Sequence, residues 1–226
     1  KRHVPVTLEL GGKSPQIVFA DANLDEAIPV IINAIVQNAG QTCSAGSRLL
    51  IEASAYERVL AAVGERMATL KVGPAAMDMD VGPLIRANQL DRVNGFLFDA
   101  KTANLRTIAQ GCIIADSPAS GFYAKPTLIA DVPATATLAQ DEVFGPVLAA
   151  MPFKDEADAI RLANSSDYGL VAGVWTENGS RGMRMARAVK SGQVFINNYG
   201  AGGGVELPFG GVKSSGYGRE KGFEAL

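Results

Sequence analysis

The chain has 226 residues, of which 47% are hydrophobic and 19% are charged, and its formal net charge at pH 7 is −2. These values are typical of a globular protein with one large core or two small ones, which argues against a disordered or fibrous chain. Acidic and basic residues are mixed along the sequence without a basic block, so we expect neither nucleic acid nor an anionic membrane as a partner.

The chain contains two cysteines, Cys43 and Cys112. They are too few for a disulfide framework and form no metal-ligand pattern, so we expect a reducing compartment, a cytoplasmic location and no metal site. The longest apolar stretch, residues 28–36, is interrupted by Pro29 and Asn33 and is too short to cross a bilayer. No signal peptide is recognisable, and the chain opens without a methionine, so we expect it to be a piece of a longer protein.

The first forty residues predict two strands followed by a buried helix. Alternating apolar residues predict strands at 6–10 and 16–20. Asp21 or Asn23 can cap the next helix, in which apolar residues recur at spacings of one and three over 24–36. Such a broad apolar face indicates that the helix is well buried.

From residue 48 onward, predicted strands and helices alternate. The predicted strands cover 48–52, 107–108, 125–132, 147–153, 170–175 and 194–197. The predicted helices cover 56–70, 87–101, 155–164 and 180–189. This alternation predicts an α/β fold with a largely parallel sheet flanked by helices.

Two motifs contain the side chains that covalent catalysis needs. Glu9 lies in LELGGKSP, and Cys43 lies in NAGQTCSAGSR, just beyond the glycine that ends the buried helix. A carboxylate that activates water and a thiol that attacks a carbonyl are the two parts needed to make and hydrolyse a thioester. The small neighbours of Cys43 leave room for a substrate, and its backbone N–H can point at the oxyanion formed on attack.

Each motif also has an ordinary alternative interpretation. A lone cysteine is most often a small buried hydrophobe, and a glutamate in a strand is most often solvated. Cys112 lies in AQGCII, which lacks small polar neighbours, so we assign it a structural role. Lys13, which follows the glycine pair, is interpreted as structural, and His3 near the terminus as exposed.

Four motifs together resemble the aldehyde dehydrogenase superfamily. LELGGKSP and NAGQTCSAGSR place Glu9 and Cys43 34 residues apart, and QDEVFGP and PFGGVKSSG follow in the family's order. The resemblance implies that Cys43 is the nucleophile and that Glu9 activates the water that hydrolyses a thioester. It further implies that NAD or NADP is the cofactor and that the substrate is a small-molecule aldehyde.

The same resemblance implies roles for further residues. Glu142 would hydrogen-bond the nicotinamide ribose, and Phe144 would pack near it. The backbone of Leu10 and Gly11 would lie near the nicotinamide, and Phe209 would help to wall the aldehyde pocket. A carboxylate suits a ribose because it can accept hydrogen bonds from two hydroxyl groups.

Two other regions receive weaker assignments from the resemblance. Asn197 would brace the catalytic loops through hydrogen bonds to the backbone. The glycine-rich segment 200–204 stands where relatives often place bulkier residues, so we expect an open, adaptable pocket mouth.

The resemblance covers essentially all of residues 1–226 and implies the aldehyde dehydrogenase catalytic domain. Most of the coenzyme-binding domain and the oligomerisation tail would be absent, and the full-length protein would be a homo-oligomer, a dimer or a tetramer. The isolated fragment is therefore predicted to be inactive, because too little of the coenzyme site is present.

Two rival functions remain open from the sequence. One is an acylating dehydrogenase of the same fold that releases an acyl-CoA, although such relatives commonly lack the glutamate that Glu9 matches. The other is a non-catalytic α/β fragment, in which Cys43 would be no more reactive than Cys112.

Overall fold

The structure is a computed structural model, and it describes residues 3–200 and 204–223. Its centre is a seven-stranded sheet with the strand order β11-β10-β2-β3-β8-β7-β5. The strands are β1 (Leu8–Glu9), β2 (Pro15–Val18), β3 (Arg48–Glu52), β4 (Lys71–Val72), β5 (Arg106–Gln110), β6 (Cys112–Ile113), β7 (Thr127–Ala130), β8 (Val147–Phe153), β9 (Tyr168–Gly169), β10 (Val171–Trp175), β11 (Gln193–Ile196), β12 (Val212–Lys213) and β13 (Gly216–Tyr217). The helices are α1 (Leu24–Val36), α2 (Tyr56–Ala68), α3 (Ala87–Thr102), α4 (Thr137–Gln140), α5 (Glu156–Ala163) and α6 (Gly179–Ala188).

Every neighbouring pair in this sheet is parallel except β5 with β7, which is antiparallel at one edge. The predicted α/β fold with a largely parallel, helix-flanked sheet is therefore confirmed. Strands β2, β7 and β10 are buried at every position, as expected for strands covered on both faces. Helices α2 and α5 pack directly on the sheet, α2 on β5 and β7, and α5 on β2, β3 and β8.

Helix α1 brings the chain to Cys43. The side chain of Asn23 accepts a hydrogen bond from the N–H of Asp25 and caps the helix, so Asn23, of the two predicted candidates, is the N-cap. A 3-10 turn, Gln37–Gly40, follows, and three of its residues, Asn38, Ala39 and Gly40, have positive φ angles. The chain therefore reverses sharply at the helix end, and Cys43 lies just beyond it, as predicted.

The element boundaries differ from the predictions mainly where strands are short. The strand predicted at 6–10 shortens to Leu8–Glu9 and pairs antiparallel with β13 outside the main sheet. Its neighbouring leucines, Leu8 and Leu10, are exposed, so no buried face extends the strand. Strands β4 and β6 were not predicted, because two residues are too few to show a periodic pattern.

Candidate active site

Glu9 lies in β1, where it pairs with Gly216 of β13. Both of its carboxylate oxygens are buried and accept no hydrogen bond from the part of the chain that the structure describes. A Cβ atom at Gly210 would lie 3.0 Å from Oε1, so the carboxylate packs against the residue that follows Phe209. Burial, and secondarily the charge of Glu220, raises the pKa of Glu9 above its usual value.

The glycine pair that follows Glu9 separates two functional groups. A Cβ atom at Gly11 would lie 2.7 Å from Oε2 of Glu142, and one at Gly12 would lie 2.2 Å from the carbonyl oxygen of Cys43. A side chain at Gly12 would meet backbone, and one at Gly11 would displace the Glu142 carboxylate from its present position. The glycine pair therefore exists to let Glu142 and the Cys43 loop approach the backbone closely.

Cys43 is a free, half-buried thiol. Burial raises its pKa above the usual value, and the nearby carboxylates of Glu142 and Glu9 raise it further. The backbone N–H groups of Cys43 and Ser44 act in the opposite direction, because they stabilise negative charge on the sulfur.

An open cleft of about 470 Å³ lies beside the thiol, within the usual size range of a small-molecule site. It is lined by Gln37, Gln41, Thr42, Cys43, Ser44, Phe144, Phe209 and Lys221. The structure therefore brings together the predicted nucleophile and both predicted aromatic residues. Glu9 and Glu142 do not line this cleft but lie close behind it, next to Phe209–Gly210 and the glycine pair respectively.

The carboxylate of Glu142 is anchored to the protein backbone. Its Oε1 accepts a 3.0 Å hydrogen bond from the N–H of Gly12. Burial raises the pKa of Glu142, whereas the Gly12 N–H and then the Lys13 charge act to lower it. One oxygen of Glu142 thus accepts a hydrogen bond from Gly12. Leu10, whose backbone was predicted to lie near the nicotinamide, is 48% exposed.

The buried cation Arg48, which connects the Glu9 and Cys43 motifs, was not predicted from the sequence. Arg48 is 1% exposed, and it donates from Nε to the carbonyl oxygen of Lys13 at 2.7 Å. Its guanidinium also donates to the carbonyl oxygens of Leu162 and Ala163 at the end of α5. Arg48 thereby ties the segment after Glu9 to the strand after Cys43. The sequence signal that could have identified Arg48 is its place as the last residue of NAGQTCSAGSR.

Lys13 is also 1% exposed, and its Nζ has no hydrogen-bond partner among residues 3–200 and 204–223. Burial, together with the charge of Arg48, lowers its pKa to about 7. The Nζ atom therefore lies inside the fold, and the structural role expected from the sequence stays a prediction.

Asn197 and Tyr199 follow the edge strand β11 in the chain. The hydroxyl of Tyr199, which the sequence did not single out, donates a 2.6 Å hydrogen bond to the carbonyl oxygen of Ser44, directly beside Cys43. Asn197 was expected to brace the catalytic loops, but both of its side-chain hydrogen bonds go to the backbone of Thr176 at the end of β10. In the glycine-rich segment predicted to open the pocket mouth, residues 201–203 lie outside the described residues.

The second thiol differs from the first in accessibility. Cys112 lies in β6, opposite Lys71 of β4, and its side chain is exposed. Exposure makes Cys112 open to thiol reagents even if its role is structural. A reactivity comparison between the two cysteines therefore has to be made one thiol at a time.

Neither a candidate membrane span nor a candidate metal site occurs among the described residues. None of the helices found there is long and apolar enough to cross a membrane. In the same residues, no three His, Cys, Asp or Glu side chains converge as ligands for a metal ion.

Comparison with known proteins gives the same family as the motifs. The model of the aldehyde dehydrogenase family matches residues 1–226. A curated aldehyde dehydrogenase from Emericella nidulans is 44% identical over 223 residues, which are 98% of this chain and 44% of that protein.

Solved structures give the same result. A putative aldehyde dehydrogenase from Burkholderia cenocepacia superposes with a TM-score of 0.97 at 63% identity, over 99% of this chain and 47% of that one. The NAD+ complex of an aldehyde dehydrogenase from Bacillus cereus has a TM-score of 0.91 at 40% identity, over 98% and 45% of the two chains. A betaine aldehyde dehydrogenase from Staphylococcus aureus, also with NAD+, has a TM-score of 0.92 at 34% identity, over 97% and 44%. The chain thus spans slightly less than half the length of these relatives.

Proposed function

Because the chain belongs to the aldehyde dehydrogenase family, we propose that it supplies the nucleophile and the hydrolytic base for NAD(P)-dependent oxidation of an aldehyde to a carboxylic acid. One observation carries the proposal. The Cys43 thiol opens onto a cleft walled by Phe144 and Phe209, and the Glu9 carboxylate packs behind that wall at Gly210.

The first step is attack by Cys43. After the thiol loses its proton to water in the open cleft, the sulfur forms a bond to the aldehyde carbon, and the carbonyl π electrons move onto oxygen. We propose that the backbone N–H of Cys43 stabilises that oxyanion. The apolar faces of Phe144 and Phe209 exclude water and orient the aldehyde.

The oxidation step requires a hydride acceptor, which a bound nicotinamide coenzyme supplies. The residues present fit its nicotinamide end: Glu142 keeps one oxygen free of the Gly12 hydrogen bond, and the Phe144 ring lines the cleft. We propose that Glu142 accepts from the ribose, that Phe144 packs near the ring, and that the backbone of Leu10 and Gly11 lies alongside. The relatives solved with NAD+ support this assignment.

Loss of hydride from the tetrahedral adduct leaves a thioester on Cys43, and Glu9 then promotes its hydrolysis. Glu9 takes a proton from water, the hydroxide adds to the thioester carbon, and the C–S bond breaks to give the acid and the thiolate of Cys43. A carboxylate with a raised pKa and vacant acceptor positions is a stronger base than an exposed one.

The proposal is tested by incubating the full-length protein with a panel of aldehydes and either NAD or NADP. Formation of one equivalent of acid per equivalent of reduced coenzyme is the expected result. A parallel reaction with coenzyme A separates hydrolysis from acyl transfer, since an acyl-CoA product would contradict the role of Glu9.

We further propose that residues 1–226 are the catalytic domain and that the full-length protein is a cytoplasmic homo-oligomer, a dimer or a tetramer. The 226-residue chain alone should not oxidise an aldehyde. Glu142 and Phe144 contact one end of a dinucleotide, too little to offset the entropy cost of ordering it. NAD reduction and NAD binding by the chain itself test this point, and robust turnover would contradict it.

A further inference from the structure

Phe144 has an unusual backbone for a large side chain. Its φ angle is +57°, in the left-handed region that residues with a Cβ atom rarely adopt. The Phe144 ring nevertheless lines the Cys43 cleft. Strained backbone of this kind persists only where surrounding contacts hold it in place.

The hydrogen bonds to the backbone around Phe144 come from one side chain in the first turn of α3. Nε2 of Gln89 donates to the carbonyl oxygen of Val143 at 3.0 Å and to that of Phe144 at 2.8 Å. The side-chain amide of Gln89 thus binds the carbonyl group before the Phe144 Cα atom and the one after it. Three positions further along α3, the guanidinium of Arg92 donates to the carbonyl oxygen of Glu142.

Packing holds the next residue, Gly145, from two sides. A Cβ atom at Gly145 would lie 2.4 Å from Cγ2 of Val93, and one at Gly40 would lie 2.3 Å from the carbonyl carbon and oxygen of Gly145. The segment 142–145 therefore lies between α3 and the turn that leads to Cys43. It cannot shift as a rigid body, so local backbone angles decide where the Phe144 ring lies.

We propose that Gln89 is a positioning residue, whose forked hydrogen bonds keep Phe144 left-handed and so hold its ring in the Cys43 cleft. When this fork is lost, the Phe144 backbone relaxes to ordinary angles, and the ring and the neighbouring Glu142 carboxylate leave their positions. In the enzyme this weakens coenzyme binding, a consequence that rests on the proposed function of Glu142 and Phe144.

The direct test is amide hydrogen exchange in the full-length protein, which needs neither coenzyme nor substrate. Gln89→Glu keeps the shape of the side chain but removes the donor, and Gln89→Leu removes all polarity. In both variants we expect the amides of 142–145 to exchange about tenfold faster or more, because the segment opens more easily once its Val143 and Phe144 carbonyl groups lose the two hydrogen bonds from Gln89. The matched controls are Gln110→Glu and Gln110→Leu at the edge strand β5, where exchange of 142–145 should not change.

A kinetic measurement adds the functional consequence. Gln89→Glu should raise the coenzyme KM about tenfold, and it should raise the aldehyde KM as well because the displaced Phe144 ring also lines the cleft. Loss of packing alone would leave Gln89→Glu close to the wild type. Wild-type exchange at 142–145 in Gln89→Glu overturns the proposal. If amide exchange at 142–145 is faster in Gln89→Glu but the wild-type protein oxidises no aldehyde, the positioning role of Gln89 is supported and the proposed function is contradicted. Failure of this proposal and failure of the proposed function are therefore distinguishable.

Discussion

The main-chain N–H of Gly12 donates a 3.0 Å hydrogen bond to Oε1 of Glu142. The same glycine lies so close to the carbonyl oxygen of Cys43 that a Cβ atom would approach it to 2.2 Å. The candidate coenzyme carboxylate and the candidate nucleophile loop thus rest on one residue. A displacement at Gly12 is therefore transmitted to both groups.

Gly12→Ala should damage the site severely. The added methyl group meets backbone rather than a flexible side chain, so the Cys43 loop has to move, at a cost of about 1–3 kcal/mol in unfolding free energy. Activity of the full-length enzyme should fall by roughly a hundredfold or more, because displacements of this size disturb reacting geometry. Steady-state kinetics and urea unfolding give both quantities.

The control for that variant is Gly95→Ala in the middle of α3, where nothing lies within 4 Å of the added atom. It should stabilise the protein by about 0.5–1 kcal/mol through helix propensity and leave activity intact. Equal activity in Gly12→Ala and Gly95→Ala would contradict the close approach of Gly12 to Cys43.

The ionisation of Cys43 should respond to its carboxylate neighbours. Because negative charge on Glu142 disfavours a thiolate, Glu142→Gln should lower the pKa of Cys43 and speed its alkylation at neutral pH. The measurement is the pH profile of alkylation rate in the 226-residue chain that carries Cys112→Ser, where Cys43 is the one thiol left. Glu26→Gln, on the exposed face of α1, is the control, and an equal shift in both variants would contradict the electrostatic cause.

Lys13 should make stability depend on pH. The folded-state pKa is lowered to about 7 from 10.5, so between these values the unfolded chain binds more protons than the folded one. The unfolding free energy should therefore rise with pH across this window, by up to about 1.4 kcal/mol per pH unit, and the full cost of burying the charge applies below it. Lys13→Met should lose this rise, which urea unfolding at about pH 6 and about pH 9 would detect. Parallel curves for the two proteins would show that Lys13 is not buried as a cation.

The motifs and the fold class were predictable from the sequence because their signals are local. Helix α1 has both a cap residue and a periodic apolar face, and its predicted start is the observed one, although the helix ends at Val36 and a 3-10 turn rather than α-helix reaches Gly40. Strand β8 is a continuous apolar run and was assigned with its observed bounds. The fork from Gln89 to Phe144 was not predictable, since it joins residues 55 positions apart and nothing near Gln89 marks its partner. Nor could the sequence show that Asn197 serves Thr176, because resemblance transfers a residue but not its contacts.

The two cysteines should differ sharply in the full-length enzyme. Cys43→Ser should reduce dehydrogenase activity by about a thousandfold or more, since a hydroxyl is a far weaker nucleophile than a thiolate. Cys112→Ser should leave most of the activity, because its exposed side chain lies in β6, outside the group that lines the cleft. A comparable loss in both variants would remove the case for Cys43 as the nucleophile.

The division of labour between Cys43 and Glu9 is tested most directly by a rapid-mixing measurement on Glu9→Gln in the full-length enzyme. Thioester formation does not need a base that acts on water, so the account predicts a burst of reduced coenzyme followed by slow turnover. Mass spectrometry of the mixed sample should find the acyl group on the peptide that contains Cys43. Unchanged steady-state turnover, or an enzyme without burst or acyl group, would contradict the assignment of Glu9 as the hydrolytic base.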